Sequence, residues 1–293
     1  MNLFTIKDLE NLTGIKAHTI RIWEQRYSFL KPQRTETNIR YYSSNELKTI
    51  LNIALLNKYG YKISHIDKMG ETEMSEKIIS LASSEAQQER VLNNLIQAMI
   101  NLDIDAFEEI IDNYISRKSI DNAIVQIIFP FLERVGLLWL TNHINPAQEH
   151  LVTNIIRQKL IVGIEKIRTS RTVNKVILLF LPEGEHHEIG LLFMQYLLKN
   201  KGITTLYMGA AVPLKDVVFV VKLKKPSFVY THLTSVAHNF NFEKFLNNYH
   251  AQLPSTKLIV SGKLTQTYKK TIPANISFKT SLALVMDFIA SFS

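Results

Sequence analysis

Glu185-His186-His187-Glu188-Ile189-Gly190 lies between an apolar run, Val176 to Leu181, and an apolar segment of helical character, Leu191 to Leu198. That order predicts a strand, a polar loop at its carboxyl end, and a helix packing back on the strand. Read as Glu-x-His-x-x-Gly, the stretch puts an imidazole on the loop. Open α/β sheets bind ligands there, in the crevice outside the strand ends. A carboxylate two residues before His187 would orient the ring and raise its basicity, as an axial metal ligand requires.

Further apolar runs continue the pattern: Thr204 to Met208, Ser227 to Thr231, Leu258 to Val260 and Ile276 to Lys279, separated by helical segments. Five such runs predict a doubly wound, Rossmann-like parallel sheet. Thr231-His232-Leu233 follows Gly190 by about forty residues, and Ser261-Gly262 comes nearly thirty beyond Leu233. From Lys175 onward this resembles the cobalamin-binding domain of methionine synthase and the methylmalonyl mutases. That family carries Asp-x-His-x-x-Gly, then Ser-x-Leu, then Gly-Gly at these spacings. Tyr207-Met208-Gly209-Ala210-Ala211-Val212-Pro213 is similar to the family's segment after its second strand.

The resemblance implies cobalamin bound base-off. His187 would be the cobalt ligand, with Glu185 behind it, and the detached nucleotide tail would lie in the sheet crevice against Gly190, Thr231, Leu233, Ser261 and Gly262. Glu185 and Thr231 replace the family's Asp and Ser with the same hydrogen-bonding chemistry. Ser261 adds a Cβ where the family has glycine, which bears on affinity.

Residues 1–70 hold eleven Lys/Arg against six Asp/Glu, within a chain of net charge +8. The excess falls on a pattern. Thr5 with Asp8 reads as a capping box opening a helix through Leu12, and Thr13-Gly14 reads as a turn. Lys16 to Tyr27 has helical spacing of Ile20, Trp23 and Tyr27, while Asn38-Ile39-Arg40-Tyr41-Tyr42 makes a basic, aromatic wing before a helix near Ser44. This is a helix-turn-helix that would offer Lys16, His18, Thr19 and Arg21 to a major groove. Ile20 through Tyr27, with the wing, resembles the MerR-family winged-helix signature over residues 3 to about 69. The resemblance implies DNA contacts by Thr19 and Arg21 on the recognition helix and by Arg34, Arg40 and Tyr41 on the wing. Ile20 and Trp23 read as core.

Between these ends, Ser84 to Ile100, Ile104 to Ser116, Ile120 to Leu140 and Pro146 to Arg168 predict four helices in a bundle, the third kinked or restarted at Pro130. Trp139, with Glu149-His150 beginning ten positions later, resembles the helical cap of the light-dependent cobalamin repressors of the CarH/LitR class. There the cap covers the upper cobalamin face, Trp shields the adenosyl group, and the Glu-His pair lies against it. In that class a histidine follows the tryptophan and captures cobalt after photolysis. Here Leu140 stands in its place and His143 is three residues further.

The expected plan is therefore a winged helix over 1–71, a helical cap over 72–171 and a cobalamin-binding sheet domain over 172–293, with Thr169 to Asn174 as linker. The whole reads as a repressor whose oligomerisation, as dimer or tetramer, and binding to a double-stranded operator are controlled by adenosylcobalamin and light. With no cysteine in 293 residues, disulfide frameworks and thiolate metal sites are excluded. The N-terminus lacks a signal-peptide core, and no charge-free apolar stretch reaches the roughly eighteen residues of a membrane span, so a cytoplasmic protein is expected. Two other readings stay open. One is a regulator whose degenerate sheet domain works without cofactor. The other is a cobalamin methyl carrier, against which stands the lack of room for a substrate-activating barrel of about 250 residues.

Overall fold

The computed structural model describes residues 3–140, 144–170, 172–234 and 240–292, with backbone alone at 139 and 140. The chain divides into two compact units, Met1–Ile155 and Ile156–Ser293.

In the first unit, α1 (Ile6–Thr13) opens on the expected capping box: the Thr5 side chain accepts from the Asp8 amide, and the Asp8 carboxylate accepts from the Thr5 amide at 2.6 Å. Gly14, at φ 73°, supplies the left-handed residue that ends it. Then come α2 (Ala17–Arg26) and an antiparallel wing of β1 (Gln33–Arg34) and β2 (Arg40–Tyr41). At the wing's turn Asn38 adopts φ 65°, a conformation its short amide tolerates. A second capping box, Ser43 with Glu46, starts α3 (Ser44–Lys58). Ile20 and Trp23 are buried as expected.

After the short α4 (Ile63–Ile66), α5 (Glu71–Ser80) precedes the bundle and has only Ile78 buried, too little periodicity to register in the sequence. The bundle contains α6 (Ser84–Asn101) and α7 (Ile104–Lys118). The third expected helix is interrupted before Pro130. Its first turn, α8 (Ile120–Ala123), widens into a π-helical segment, Ile124–Ile128, before α9 (Phe129–Leu140). There the Phe129 amide reaches back five residues to Ile124. A wide turn beside the proline absorbs its missing donor and bulky ring without stopping the helix. α10 (Pro146–Lys166) is the last bundle helix.

The second unit is a five-stranded parallel sheet: β3 (Val173–Pro182), β4 (Ile203–Val212), β5 (Phe228–His232), β6 (Leu258–Ser261) and β7 (Ile276–Lys279), in spatial order β4-β3-β5-β6-β7. The intervening helices are α11 (Ile189–Asn200), α12 (Leu214–Lys224), α13 (Phe242–Gln252) and α14 (Lys263–Thr267), with α15 (Leu282–Ala290) closing the chain. Leu178 and Phe180 of β3 join Val229, Leu258 and Val260 in a core with α12 and α13, while the alternate residues Ile177, Leu179 and Leu181 are also fully buried. Burial on both faces explains the continuous apolar runs.

Two expectations change here. Residues 207–212 lie inside β4 rather than after it; Gly209 and Ala211, both at positive φ, are accommodated where the register with β3 shifts. Asn174, placed in the linker, is already in β3, because pairing begins at Val173 with Ile203. The chain leaves β3 for β4 on one side and crosses to β5 on the other. The carboxyl ends of β3 and β5 therefore bound the switch-point crevice.

Candidate functional site

Lys16, just before α2, and His18 and Arg21 on it are exposed and Thr19 is half-buried; on the wing, Arg34 is exposed, while Arg40 and Tyr41 are half-buried. The side chains of the wing are braced. Arg34 Nη1 donates to Asn38 Oδ1 at 2.7 Å, and Tyr41 donates to Gln33 Oε1 at 2.6 Å. Arg40 Nε donates to Glu24 Oε2 at 2.9 Å, and the hydroxyl of fully buried Tyr42 donates to Glu24 Oε1. Burial, and then Glu24, pushes the Tyr42 hydroxyl far above its usual range. Glu24 had no role in the sequence reading. It is an 8 % exposed carboxylate joining recognition helix to wing, and a helix position between Trp23 and Gln25 carries no signal of that.

In the bundle, Glu149 and His150 stand in the first turn of α10, half-buried and exposed respectively. Their position is set by Gln148, which sequence reasoning missed. Its buried amide accepts from the Asn145 backbone at 2.8 Å and donates to the Ile100 carbonyl at 2.9 Å, pinning the start of α10 to the end of α6. Trp139 and Leu140 lie in the last turn of α9; their side chains, and His143, fall outside the described residues.

At the sheet crevice the structure brings together Glu185, His187, Gly190, Thr231, Leu233, Ser261 and Gly262. Glu185 is fully buried at the end of β3. One carboxylate oxygen, Oε1, accepts from the amides of His186 and His187 at 2.8 and 2.9 Å and lies 2.6 Å from His187 Nδ1; Oε2 accepts from the Thr234 amide at 2.8 Å. Burial alone would raise the Glu185 pKa, but the hydrogen bonds and charge of His187, with the Thr234 amide, outweigh it and hold it below the ordinary value. An ionised carboxylate only accepts. His187 Nδ1 is therefore the donor, and in the neutral form of this half-exposed ring Nε2 carries the lone pair. One buried carboxylate thus organises the loop.

Next to it, Glu188 accepts from the Tyr207 hydroxyl at 2.9 Å and pairs with Arg157 of α10 at 2.9 Å. Burial, then the Glu188 charge, drives the Tyr207 pKa far up. Gly262, at φ 97°, has room for no side chain: a Cβ would stand 2.3 Å from the Leu233 carbonyl oxygen. Thr231 is buried, and its Oγ1 has no hydrogen-bond partner among the described residues. Ser261 Oγ is 2.5 Å from the Tyr230 hydroxyl and 2.7 Å from His232 Nδ1. Neither partner was given a role in the sequence reading. These features fit cobalamin at the cobalt end, through a carboxylate-tethered imidazole with the correct tautomer. In the crevice they fit a ligand only around the ring of His232.

Comparison with known proteins identifies two regions of the chain. The family described as "MerR HTH family regulatory protein" matches residues 4–72, and the "B12 binding domain" family matches residues 91–162, within α6 to α10. The HTH-type transcriptional repressor CarH of Myxococcus xanthus is 26% identical over 257 residues, 86% of this chain and 85% of that protein. The repressor CarA of the same organism is 28% identical over 71% of this chain and 68% of its own length. The monomethylamine corrinoid protein of Methanosarcina barkeri is similar in fold, with a TM-score of 0.55 at 15% identity over 70% of this chain and 99% of that one. Among the described residues no helix is long and apolar enough to cross a membrane. The chain thus carries a MerR helix-turn-helix domain followed by a B12-binding domain, and it is homologous, at modest identity over most of its length, to the repressors CarH and CarA.

Proposed function

We propose that this protein is a repressor whose hold on a double-stranded operator is controlled by adenosylcobalamin. It acts without catalysis, in three parts: winged helix 1–71, helical cap 72–171 and sheet domain 172–293. The observation that carries the reading is the Glu185–His187 pair at 2.6 Å, on the loop at the switch-point crevice of a chain that begins with a MerR helix-turn-helix. His187 would hold the cobalt; Gly190, Thr231, Leu233, Ser261 and Gly262 would line the crevice, and Trp139, Glu149 and His150 would be further contacts to the cofactor. When bound, the cofactor supplies a cobalt centre with exchangeable axial ligands and a light-labile cobalt–carbon bond.

The chain's own residues do the rest. Glu185 keeps His187 in the Nε2-accepting tautomer. Lys16, His18, Thr19, Arg21, Arg34, Arg40 and Tyr41 supply donors to phosphates and base edges. Two copies binding a palindromic operator would match the protein's two-fold to the half-site spacing. Any ligand that binds the protein's alternative assemblies unequally shifts their populations, and a light-labile ligand would make that shift depend on illumination.

The test is an absorption spectrum after dark incubation with adenosylcobalamin and desalting, repeated after green illumination, with an operator gel shift on both samples. The expected result is a retained base-off spectrum in wild type, altered in His187→Ala, and a light-dependent change in DNA binding. A colourless wild-type protein that still binds DNA overturns the cofactor reading.

A further inference from the structure

His232, the last residue of β5, takes no part in the scheme above, yet its ring stands in the middle of the crevice. A Cβ built on Gly190, in the first turn of α11, would lie 2.4 Å from His232 Cδ2, 2.5 Å from Nε2 and 2.8 Å from Cγ. Gly190 lacks a positive φ, so no backbone conformation demands a glycine there; the imidazole does. On its other side the ring is hydrogen-bonded through Nδ1 to Ser261 Oγ at 2.7 Å, and Ser261 in turn to Tyr230 at 2.5 Å. The ring thus fills the gap between α11 and the carboxyl ends of β5 and β6. His187 sits at the rim of the same crevice, its tethering carboxylate bonded to Thr234, two residues beyond His232.

We infer that His232 is a plug: it occupies the space required by the nucleotide tail of cobalamin and must leave before the tail can enter. The inference rests on the cobalamin reading above. If His187 takes the lower cobalt position, the benzimidazole of the tail is displaced from it and extends from the same lower face of the corrin. The protein on that side is the His187 loop and the crevice behind it. A tail reaching into the sheet at the switch point meets the gap between Gly190 and Ser261, and this ring already packs there. Binding then exchanges one set of contacts for another instead of filling an open slot, so His232 sets both the affinity and the preference between tailed and tail-less corrinoids.

The experiment titrates the full-length protein in the dark with adenosylcobalamin and with adenosylcobinamide, which lacks the nucleotide tail, following absorbance. Wild type, His232→Ala and His232→Ser are compared, with melting temperature as the check on folding; Ser carries the test should Ala fold poorly. The expected result is adenosylcobalamin binding tightened at least tenfold in both variants, adenosylcobinamide binding changed less than twofold, and a wild-type preference for the tailed ligand below threefold. Three outcomes overturn the plug while leaving cobalamin binding intact. They are equal adenosylcobalamin affinity in all three proteins, equal tightening of both ligands, or a tenfold wild-type preference for the tailed ligand, which needs no variant. Folded proteins that bind neither corrinoid remove the cobalamin reading and the plug with it.

Discussion

Glu24 Oε2 accepts from Arg40 Nε at 2.9 Å, so the wing's central arginine is anchored to the recognition helix through its inner nitrogen. The same carboxylate accepts from Tyr42, whose backbone pairs with Phe4 at the start of the chain. One acidic residue therefore joins three segments. Glu24→Ala strands a half-buried guanidinium and a buried hydroxyl, and the expected cost is about 2 kcal/mol. Urea unfolding should show the loss, and operator affinity should fall with it. An unchanged midpoint would mean that the wing is held by its hairpin alone.

Arg21 and Arg34 are exposed and contribute little to packing. Replacing either with alanine should leave the unfolding midpoint within about 0.5 kcal/mol of wild type and weaken DNA binding. A contact to phosphate lowers the slope of log affinity against log salt by about 1, whereas a contact to a base relaxes sequence preference instead. Gel shifts across a salt series on operator and random DNA distinguish the two.

Gly190→Ala places a methyl group against the His232 ring. Overpacking of this kind costs about 1–3 kcal/mol. In a His232→Ala background most of that cost should vanish, giving a coupling of about 1–2 kcal/mol in a double-mutant cycle. Additive losses would show that the helix moves away from the ring at little cost.

Acid should act on the sheet unit in two windows. Burial, reinforced by the His187 charge and opposed by Glu185, lowers the His232 pKa from 6.5 to about 4. On acidification the unfolded chain takes up the proton first. Stability from this group is thus complete above its unfolded pKa and is lost as pH falls from about 6.5 to about 4, by at most about 3 kcal/mol. Glu185, held below the ordinary carboxylate value, contributes stability that is lost only at lower pH. Urea midpoints measured from pH 7 to 4 should fall for wild type and stay flatter for His232→Ala. Parallel curves would exclude the histidine as the cause.

The sheet was legible because both of its faces are buried, so Ile177 to Leu181 reads as one apolar run. The Thr5–Asp8 capping box was legible because it is a local pattern of side chain and backbone three residues apart. The longer β4 was not, since Gly209-Ala210-Ala211 lacks branched or aromatic side chains and its place in the ladder comes from pairing with β3. At the site, the Glu185–His187 bond spans two residues and could be read directly. His232 against Gly190, Gln148 to Ile100 and Glu24 to Arg40 join residues sixteen to forty-eight positions apart. Such contacts are products of folding, and a polar residue's type does not reveal its distant partner.

The π-helical segment at Ile124–Ile128 amounts to one extra residue in the path from α8 to α9. In α9, Phe131, Val135 and Leu138 are buried, whereas Leu137 is 39% exposed. Removing a single residue at any position from 124 to 128 would let an ordinary α-helical turn span the same path, with the residues beyond it kept on their present faces. Keeping all five residues but winding them as an ordinary α-helix would instead turn everything beyond by about 100°, carrying Leu137 toward the interior and Leu138 away from it. The facing of α9 is thus recorded in a count of residues in the segment before it, where sequence length matters more than side-chain identity.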